Sequence, residues 1–247
     1  MMTIIAAREI KNTDIVFCGT GISMLAAMAA KNITAPDVII FFETGAIDVQ
    51  FDQTPLSVAD PRIMNKAARL AGLAESFATM QNQITGKNVL GILGAAQIDI
   101  YGNLNSTSLG DYRSPTVRFC GSGGACDVGT FVGRTMIFME LGKRKFVEKV
   151  DYVTTPGYLD GPGGRERLGL PGGGPSIVIT NKASFRFDEE TKKMYLHSYY
   201  PGFTPEVIQS ELGFEVDLTR AIEATPPSEE ELHILRTVCD PERLFLR

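Results

Sequence analysis

The sequence predicts an α/β fold, an open and mainly parallel sheet with flanking helices, followed by a C-terminal hairpin and helices. Three observations carry this reading. Apolar runs with no polar alternation recur along the first two thirds of the chain, as in Asp14-Ile15-Val16-Phe17-Cys18 and Val38-Ile39-Ile40-Phe41-Phe42. Strands apolar at every position are covered on both faces, which is the condition of a parallel sheet. These runs alternate with helical patterns, so that strands follow one another through crossovers. Finally, 44% of the 247 residues are hydrophobic and 21% charged, a balance that can bury a sizeable core and excludes disorder, coiled coil and collagen.

The elements follow in order. The strand at 14–18 ends at Gly19-Thr20-Gly21, and an alanine-rich helix runs from Ser23 to Lys31. Ala35-Pro36-Asp37 breaks the chain before the strand at 38–42. A helix is expected from Asn65 to Gln81, with Ala68, Leu70, Leu73 and Phe77 among its apolar residues. Strands are expected over Val89 to Ala95 and Met136 to Met139, with a short one at Tyr152-Val153-Thr154. From Thr155 to Pro175 the density of Gly and Pro excludes regular structure and predicts an ordered loop. A strand at Ser176 to Thr180 follows, then a hairpin pairing Phe185-Arg186-Phe187 with Met194-Tyr195-Leu196. Thr204 before Pro205 starts a short helix that Gly213 ends. Ser228 with Glu231 has the spacing of a capping box for a last helix. The whole, 1–247, reads as one domain.

Composition narrows the function. The formal charge of −5 and the lack of any basic run longer than Lys143-Arg144-Lys145 argue against nucleic acid as a partner. The four cysteines form no CxxC pair, and with two histidines no metal site is spelled out. Cys18 in an apolar run suggests a buried thiol in a reducing compartment. Core packing is also expected of Cys120 and Cys239. The N-terminus lacks the pattern of a signal peptide, and no apolar stretch is long enough to span a membrane. The expected location is cytoplasmic.

Several places could carry chemistry. Glu43 follows five apolar residues and precedes Thr44-Gly45, at the carboxyl end of a strand, where open α/β sheets place their sites. A solvated or ion-paired glutamate is the commoner occupant of such a position. Gly121-Ser122-Gly123-Gly124-Ala125 can aim several backbone N–H groups at one point, as an oxyanion requires, or be a plain tight turn. The polar stretch Gly94 to Asp99 and Tyr101 to Thr107 could orient a substrate or form ordinary Asx and Ser/Thr turns. Cys126 would need a histidine, and neither His197 nor His233 sits in a motif. Arg165-Glu166-Arg167 could contact a carboxylate or phosphate, or be a solvated cluster.

Together these segments resemble the β subunit of CoA-transferases of the glutaconate type, members of family I. Phe42-Glu43-Thr44-Gly45-Ala46-Ile47-Asp48 looks like the nucleophile segment. Gly94-Ala95-Ala96-Gln97-Ile98-Asp99, Tyr101-Gly102-Asn103 and Asn105-Ser106-Thr107 resemble a second block, and Gly121 to Ala125 a third. Asp151-Tyr152-Val153-Thr154 with Asp160 to Gly172 resembles a fourth, and the likeness runs nearly end to end in the same order.

The resemblance implies a family I fold and a homologous α subunit in a hetero-oligomer. It implies ping-pong transfer of CoA between an acyl-CoA and a carboxylic acid through a Glu43 glutamyl-CoA thioester. Gly123 and Gly124 would be oxyanion donors, with Ser122, Gln97 and Asn105 also in contact with substrate. No metal or redox cofactor would take part, coenzyme A being a substrate. Thr44, Ala46-Ile47 and Cys126-Asp127 depart from the glutaconate pattern, which leaves a dicarboxylate such as glutaconate or a 3-oxo acid as the expected class. The alternatives are an acyl-CoA hydrolase or lyase on the same scaffold, and a non-catalytic acyl-CoA-binding subunit.

Overall fold

A computed structural model describes residues 1–246. The chain divides into two compact units, one formed by Met1–Ile92 together with the stretch from Pro226 onward, the other by Leu93–Thr225.

The first unit holds α1 (Met2–Glu9), β1 (Ile15–Phe17), α2 (Ile22–Ile33), β2 (Ile39–Phe41), β3 (Ala46–Ile47), β4 (Arg69–Leu70), α3 (Leu73–Gln81) and the start of β5 (Val89–Gly94). The central strand is β1, parallel to both neighbours, with Ile15 opposite Ile39 of β2 and Val89 of β5. The expected parallel core is present, because Val16, Ile40 and Leu90 are apolar and wholly buried. In α2, the run Met24–Ala30 is buried throughout. Four of its seven residues are alanine, so the helix backbone can lie close to its neighbours.

The expected helix over 65–81 forms only from Leu73. Arg69 and Leu70 are instead β4, antiparallel to β3, with Leu70 opposite Ala46. Lys66 stands at φ 55, outside the helical region, and Ala68 N–H donates to the Asp48 carbonyl at 3.3 Å. Pairing with residues about 20 positions away thus outweighed the local helical period.

A C-terminal helix, Glu229–Ile234, belongs to this unit and begins with the expected capping box between Ser228 and Glu231. Glu231 also takes Arg8 of α1 in a two-toothed ion pair at 2.8 and 2.6 Å. The Arg8 hydrogen bond is the largest cause holding the Glu231 carboxyl below the ordinary carboxylate range. A lowered carboxylate stabilises the fold above its unfolded-state value of about 4.3, and that contribution is lost as the pH falls through the lowered folded-state value. Glu231→Ala removes the Arg8 pair and the carboxylate half of the capping box, while Ser228 Oγ still accepts the backbone N–H of residue 231. It is expected to cost about 1–2 kcal/mol in urea unfolding at neutral pH, with a gap from the parent that shrinks on acidification.

The second unit contains β6 (Gln97–Ile98), β7 (Leu104–Asn105), β8 (Ser108–Leu109), β9 (Val117–Arg118), α4 (Ala125–Phe131), β10 (Arg134–Phe138), α5 (Gly164–Arg167), β11 (Pro175–Ile179), β12 (Ala183–Phe187), β13 (Met194–Tyr199), α6 (Pro205–Ser210) and β14 (Ile222–Glu223). Its sheet runs β14-β13-β12-β11-β10. β10 and β11 are parallel, and the expected hairpin β12–β13 extends the sheet antiparallel. Phe146, Phe185, Leu196, Ile98 and Val178 centre the core. The polar turn at 188–191 closes the hairpin through Asp188, whose carboxylate accepts from Glu190 and Thr191 N–H.

Tyr152-Val153-Thr154 is not a strand. Only Thr155 bridges, opposite Leu104, because the Thr154 and Thr155 N–H groups converge on the one Leu104 carbonyl and no ladder of successive pairs forms. The glycine-rich loop over 155–175 is ordered as expected, and it includes one helical turn, α5.

Candidate active site

Glu43 lies in the first unit, just beyond β2. A tight turn carries it. Gly45 N–H donates to the Phe42 carbonyl at 2.9 Å, and Phe42 N–H to the Ala46 carbonyl at 3.0 Å. Gly45 has φ +98, and a Cβ there would stand 1.8 Å from the Ala71 carbonyl oxygen. Only glycine accepts that backbone and that approach. The turn is tied from three further sides. Ala71 N–H donates to the Gly45 carbonyl at 2.8 Å, Ser76 Oγ to the Phe42 carbonyl at 2.8 Å, and Thr44 Oγ1 to the Val58 carbonyl at 3.1 Å. At the end of β3, Asp48 is held by Lys31 at 2.9 Å.

Every neighbour of Glu43 is thus anchored, while its own carboxylate, on a half-buried residue, makes no ion pair or side-chain hydrogen bond among the described residues. The ion-paired reading of this strand-end glutamate therefore does not hold.

The polar stretch of the second unit forms two internal networks. Asn105, wholly buried, donates from Nδ2 to Gln97 Oε1 and to the Ser108 carbonyl, both at 2.7 Å. Its Oδ1 accepts from Thr107 and Ser108 N–H. Gln97 donates to Asp151 Oδ2 at 3.3 Å and accepts from Asp151 N–H at 3.1 Å. Both carbonyl and amide groups of these two residues are thus engaged inside the chain.

Asn103 joins Asp99 to the glycine-rich loop, accepting from Gly157 and Leu159 N–H on its Oδ1 at 2.9 and 3.1 Å. Burial pushes the Asp99 carboxyl up, against hydrogen bonds from Asn103 that pull it down.

The turn Gly121–Ala125 precedes α4. Ser106 brackets Gly121, accepting its N–H at 2.9 Å and donating Oγ to its carbonyl at 2.8 Å. Gly121 at φ +87 and Gly123 at φ +49 bend the backbone in ways closed to most side chains. Ser122 is consumed locally: its carbonyl accepts Ala125 N–H at 2.9 Å and its Oγ accepts Cys126 N–H at 3.0 Å. The N–H groups of Gly123 and Gly124 take no partner among the described residues. Gln97, Asn105, Ser122, Gly123 and Gly124 all belong to the second unit, and Glu43 to the first.

Cys18 and Cys239 are buried, as expected, and burial pushes the Cys239 thiol up to about 12. Cys120 is exposed rather than core-packed, since it lies on the run-up to the glycine turn; Cys126 is exposed too. His197 stands edge-on to Tyr195 of β13, and His233 is on the surface of the C-terminal helix.

One residue escaped sequence reasoning. Arg165 is neither an anion contact nor a solvated charge. It is 5% exposed, and its guanidinium donates five hydrogen bonds, all to backbone carbonyls of Gly172, Pro156, Gly157, Gly129 and Thr130. Burial is the largest cause lowering its affinity for the proton. The signal was the glycine density around it, which leaves carbonyls uncovered. By contrast, Arg167 pairs with Asp160 at the surface. Among the described residues, no group of three or more His, Cys, Asp or Glu is placed to hold a metal, and no helix is long and apolar enough to cross a membrane.

Comparison with known proteins agrees with this architecture. The family model described as coenzyme A transferase matches residues 1–211. The chain is 42% identical to one subunit of the glutaconate CoA-transferase of Acidaminococcus fermentans, covering 100% of this chain and 94% of that one. It is 34% identical to one subunit of the 3-oxoadipate CoA-transferase of Pseudomonas knackmussii, covering 96% and 91%. The crystal structure of glutaconate coenzyme A-transferase from Acidaminococcus fermentans matches with a TM-score of 0.95 at 41% identity, over 100% of this chain and 96% of that one. Fold, order of elements and full-length similarity converge: this chain belongs to the coenzyme A transferase family.

Proposed function

We propose that this chain is the nucleophile-bearing subunit of a CoA-transferase and that Glu43 carries the CoA. The observation that supports it most is the Glu43 carboxylate, unpartnered on a turn whose every neighbour is anchored. A carboxylate without internal partners keeps its lone pairs for a substrate. The reaction runs in balanced halves. A Glu43 oxygen attacks the thioester carbonyl of an acyl-CoA, giving a mixed anhydride and CoA thiolate. The thiolate attacks the glutamyl carbonyl, which leaves a glutamyl-CoA thioester and releases the first acid. The acceptor carboxylate then attacks that thioester, forming a new anhydride and freeing the thiolate again. The thiolate takes the new acyl group, and Glu43 returns as carboxylate. Covalent catalysis splits one hard exchange into easier steps.

Each step passes through a tetrahedral oxyanion. To Gly123 and Gly124 we assign its stabilisation, on the strength of their unpaired N–H groups. A single donor of this kind typically supplies about 2.7–4 kcal/mol. Ser122 would shape that turn through its hydroxyl, and Gln97 and Asn105 would act on substrate by holding the loop at 106–108 in place, their own amides being engaged. Coenzyme A enters as substrate, and no metal or redox group is needed for the acyl exchange. Both CoA-transferase relatives are named as single subunits of a larger enzyme, which supports a homologous α subunit as partner. A dicarboxylate such as glutaconate, or a 3-oxo acid, is the substrate class their names support. Four free cysteines support a cytoplasmic setting.

The test is the intact mass of this chain, co-purified with its partner, after brief exposure to glutaryl-, glutaconyl- and 3-oxoadipyl-CoA without acceptor. A CoA thioester adduct on Glu43 that disappears on adding carboxylic acid is the expected result. Steady thioester consumption with no adduct would instead assign hydrolase or lyase chemistry.

A further inference from the structure

Arg165 is only 5% exposed and has no carboxylate among its hydrogen-bond partners, which is a costly state for a cation. What it gains is geometry. A guanidinium has a rigid fork of five N–H donors, and here each finds a carbonyl. Two of those carbonyls, Gly129 at 2.9 Å and Thr130 at 3.2 Å, belong to the last turn of α4. The other three, Pro156, Gly157 and Gly172, belong to the glycine-rich loop. The fork therefore clamps α4 to that loop, with positive charge at the carbonyl end of the helix where it is favoured.

The glycines around it are fitted to this clamp. A Cβ on Gly129 would stand 2.3 Å from Thr155 Cγ2, and one on Gly172 2.7 Å from the Thr130 carbonyl oxygen. Gly172 and Gly173 N–H also donate to the Thr130 and Val132 carbonyls, at 2.9 and 3.1 Å. The helix end is held with no slack. At its other end, roughly 10 Å away at 1.5 Å per residue, α4 continues directly from the turn bearing Gly123 and Gly124. Beyond its local Ser122 bonds, that turn is tied to Ser106 through Gly121.

We infer that Arg165 is a positioning residue for transfer: by locking the carbonyl end of α4 to the glycine-rich loop it fixes the direction of the Gly123 and Gly124 N–H groups. This rests on the oxyanion role proposed above for those two glycines. Arg165 touches no substrate. Its loss lets α4 shift along its axis and degrades the donors without removing them.

The test uses the assembled enzyme with Arg165→Lys and Arg165→Ala. Lysine keeps the charge but offers one point in place of a fork, so it cannot reach all the carbonyls. For both variants kcat is expected to fall on the order of 10- to 100-fold, as for a misplaced catalytic group, with KM for acyl-CoA changed less than about threefold. Adduct formation on Glu43 should slow by the same factor as kcat. Guanidinium ion added to Arg165→Ala should restore part of kcat while leaving the parent enzyme unaffected. A folded Arg165→Lys with the parent's kcat would overturn the inference. So would loss that follows only the folded fraction, with guanidinium raising the melting temperature and not kcat. A parent enzyme that forms no Glu43 adduct would bring down the underlying reading, and this inference with it.

Discussion

Glu43→Ala is expected to lower turnover of the assembled transferase by about 10³-fold or more and to abolish the CoA adduct on this chain, while leaving its stability within about 0.5 kcal/mol of the parent. Both halves follow from one observation. The carboxylate has no partner among the described residues, so its removal strands no buried donor and breaks no ion pair. Its neighbours carry the fold, through Thr44, Gly45 and Ser76. Glu43→Asp keeps the charge but withdraws it by one methylene, about an ångström or more, and should retain a residual rate roughly 10²-fold below the parent. Steady-state kinetics, intact mass and thermal unfolding on the same preparations separate these effects. A Glu43→Ala enzyme with ordinary transfer rates would exclude covalent catalysis by this residue.

Gly45→Ala should produce the largest loss of stability of any single methyl addition near the turn. Two costs combine there. The φ of +98 is one that an L side chain rarely adopts, and the new Cβ would meet the Ala71 carbonyl oxygen at 1.8 Å. That neighbour is backbone, itself adjoining the β3–β4 pairing, so it cannot swing aside as a side-chain tip would. Strain of this kind costs about 1–3 kcal/mol and overpacking about 1–3 kcal/mol more, so a total of about 2–6 kcal/mol is expected in chemical denaturation. Adduct formation should fall as well at temperatures where the variant remains folded, because the turn that presents Glu43 must open. Gly142→Ala provides the control. A Cβ there meets nothing within 4 Å and its φ is not in the left-handed region, so its effect should stay within about 0.5 kcal/mol.

Legibility varied with the range of the cause. The strands at 15–17 and 39–41 could be read because Val16-Phe17 and Ile40-Phe41, successive and so on opposite faces, are all buried and all apolar. The cap at Ser228 could be read because a capping box is closed by residues three apart. The helix expected from Asn65 failed where long-range pairing with β3 took the backbone first. The strand expected at Tyr152 failed where the Thr154 and Thr155 N–H groups converged on the single carbonyl of Leu104, about 50 residues earlier. Exposure of Cys120 was equally hidden, since its neighbours Phe119 and Gly121 say nothing of which side of the chain faces solvent.

The sequence by itself determined the alternation of strands and helices, the place of Glu43 at the end of an apolar strand, and the order of motifs that marks the family. These depend on periodicity and on neighbours a few residues apart, which any reading of the chain can count. Tertiary structure alone decided that Gly45 abuts Ala71, that the Gln97 amide is taken up by Asp151, and that Arg165 is a buried clamp on α4 rather than a surface charge. Each of these joins residues well separated along the chain or turns on which carbonyls remain uncovered after folding. A guanidinium goes wherever its five donors find acceptors, and only the folded backbone brings those acceptors together.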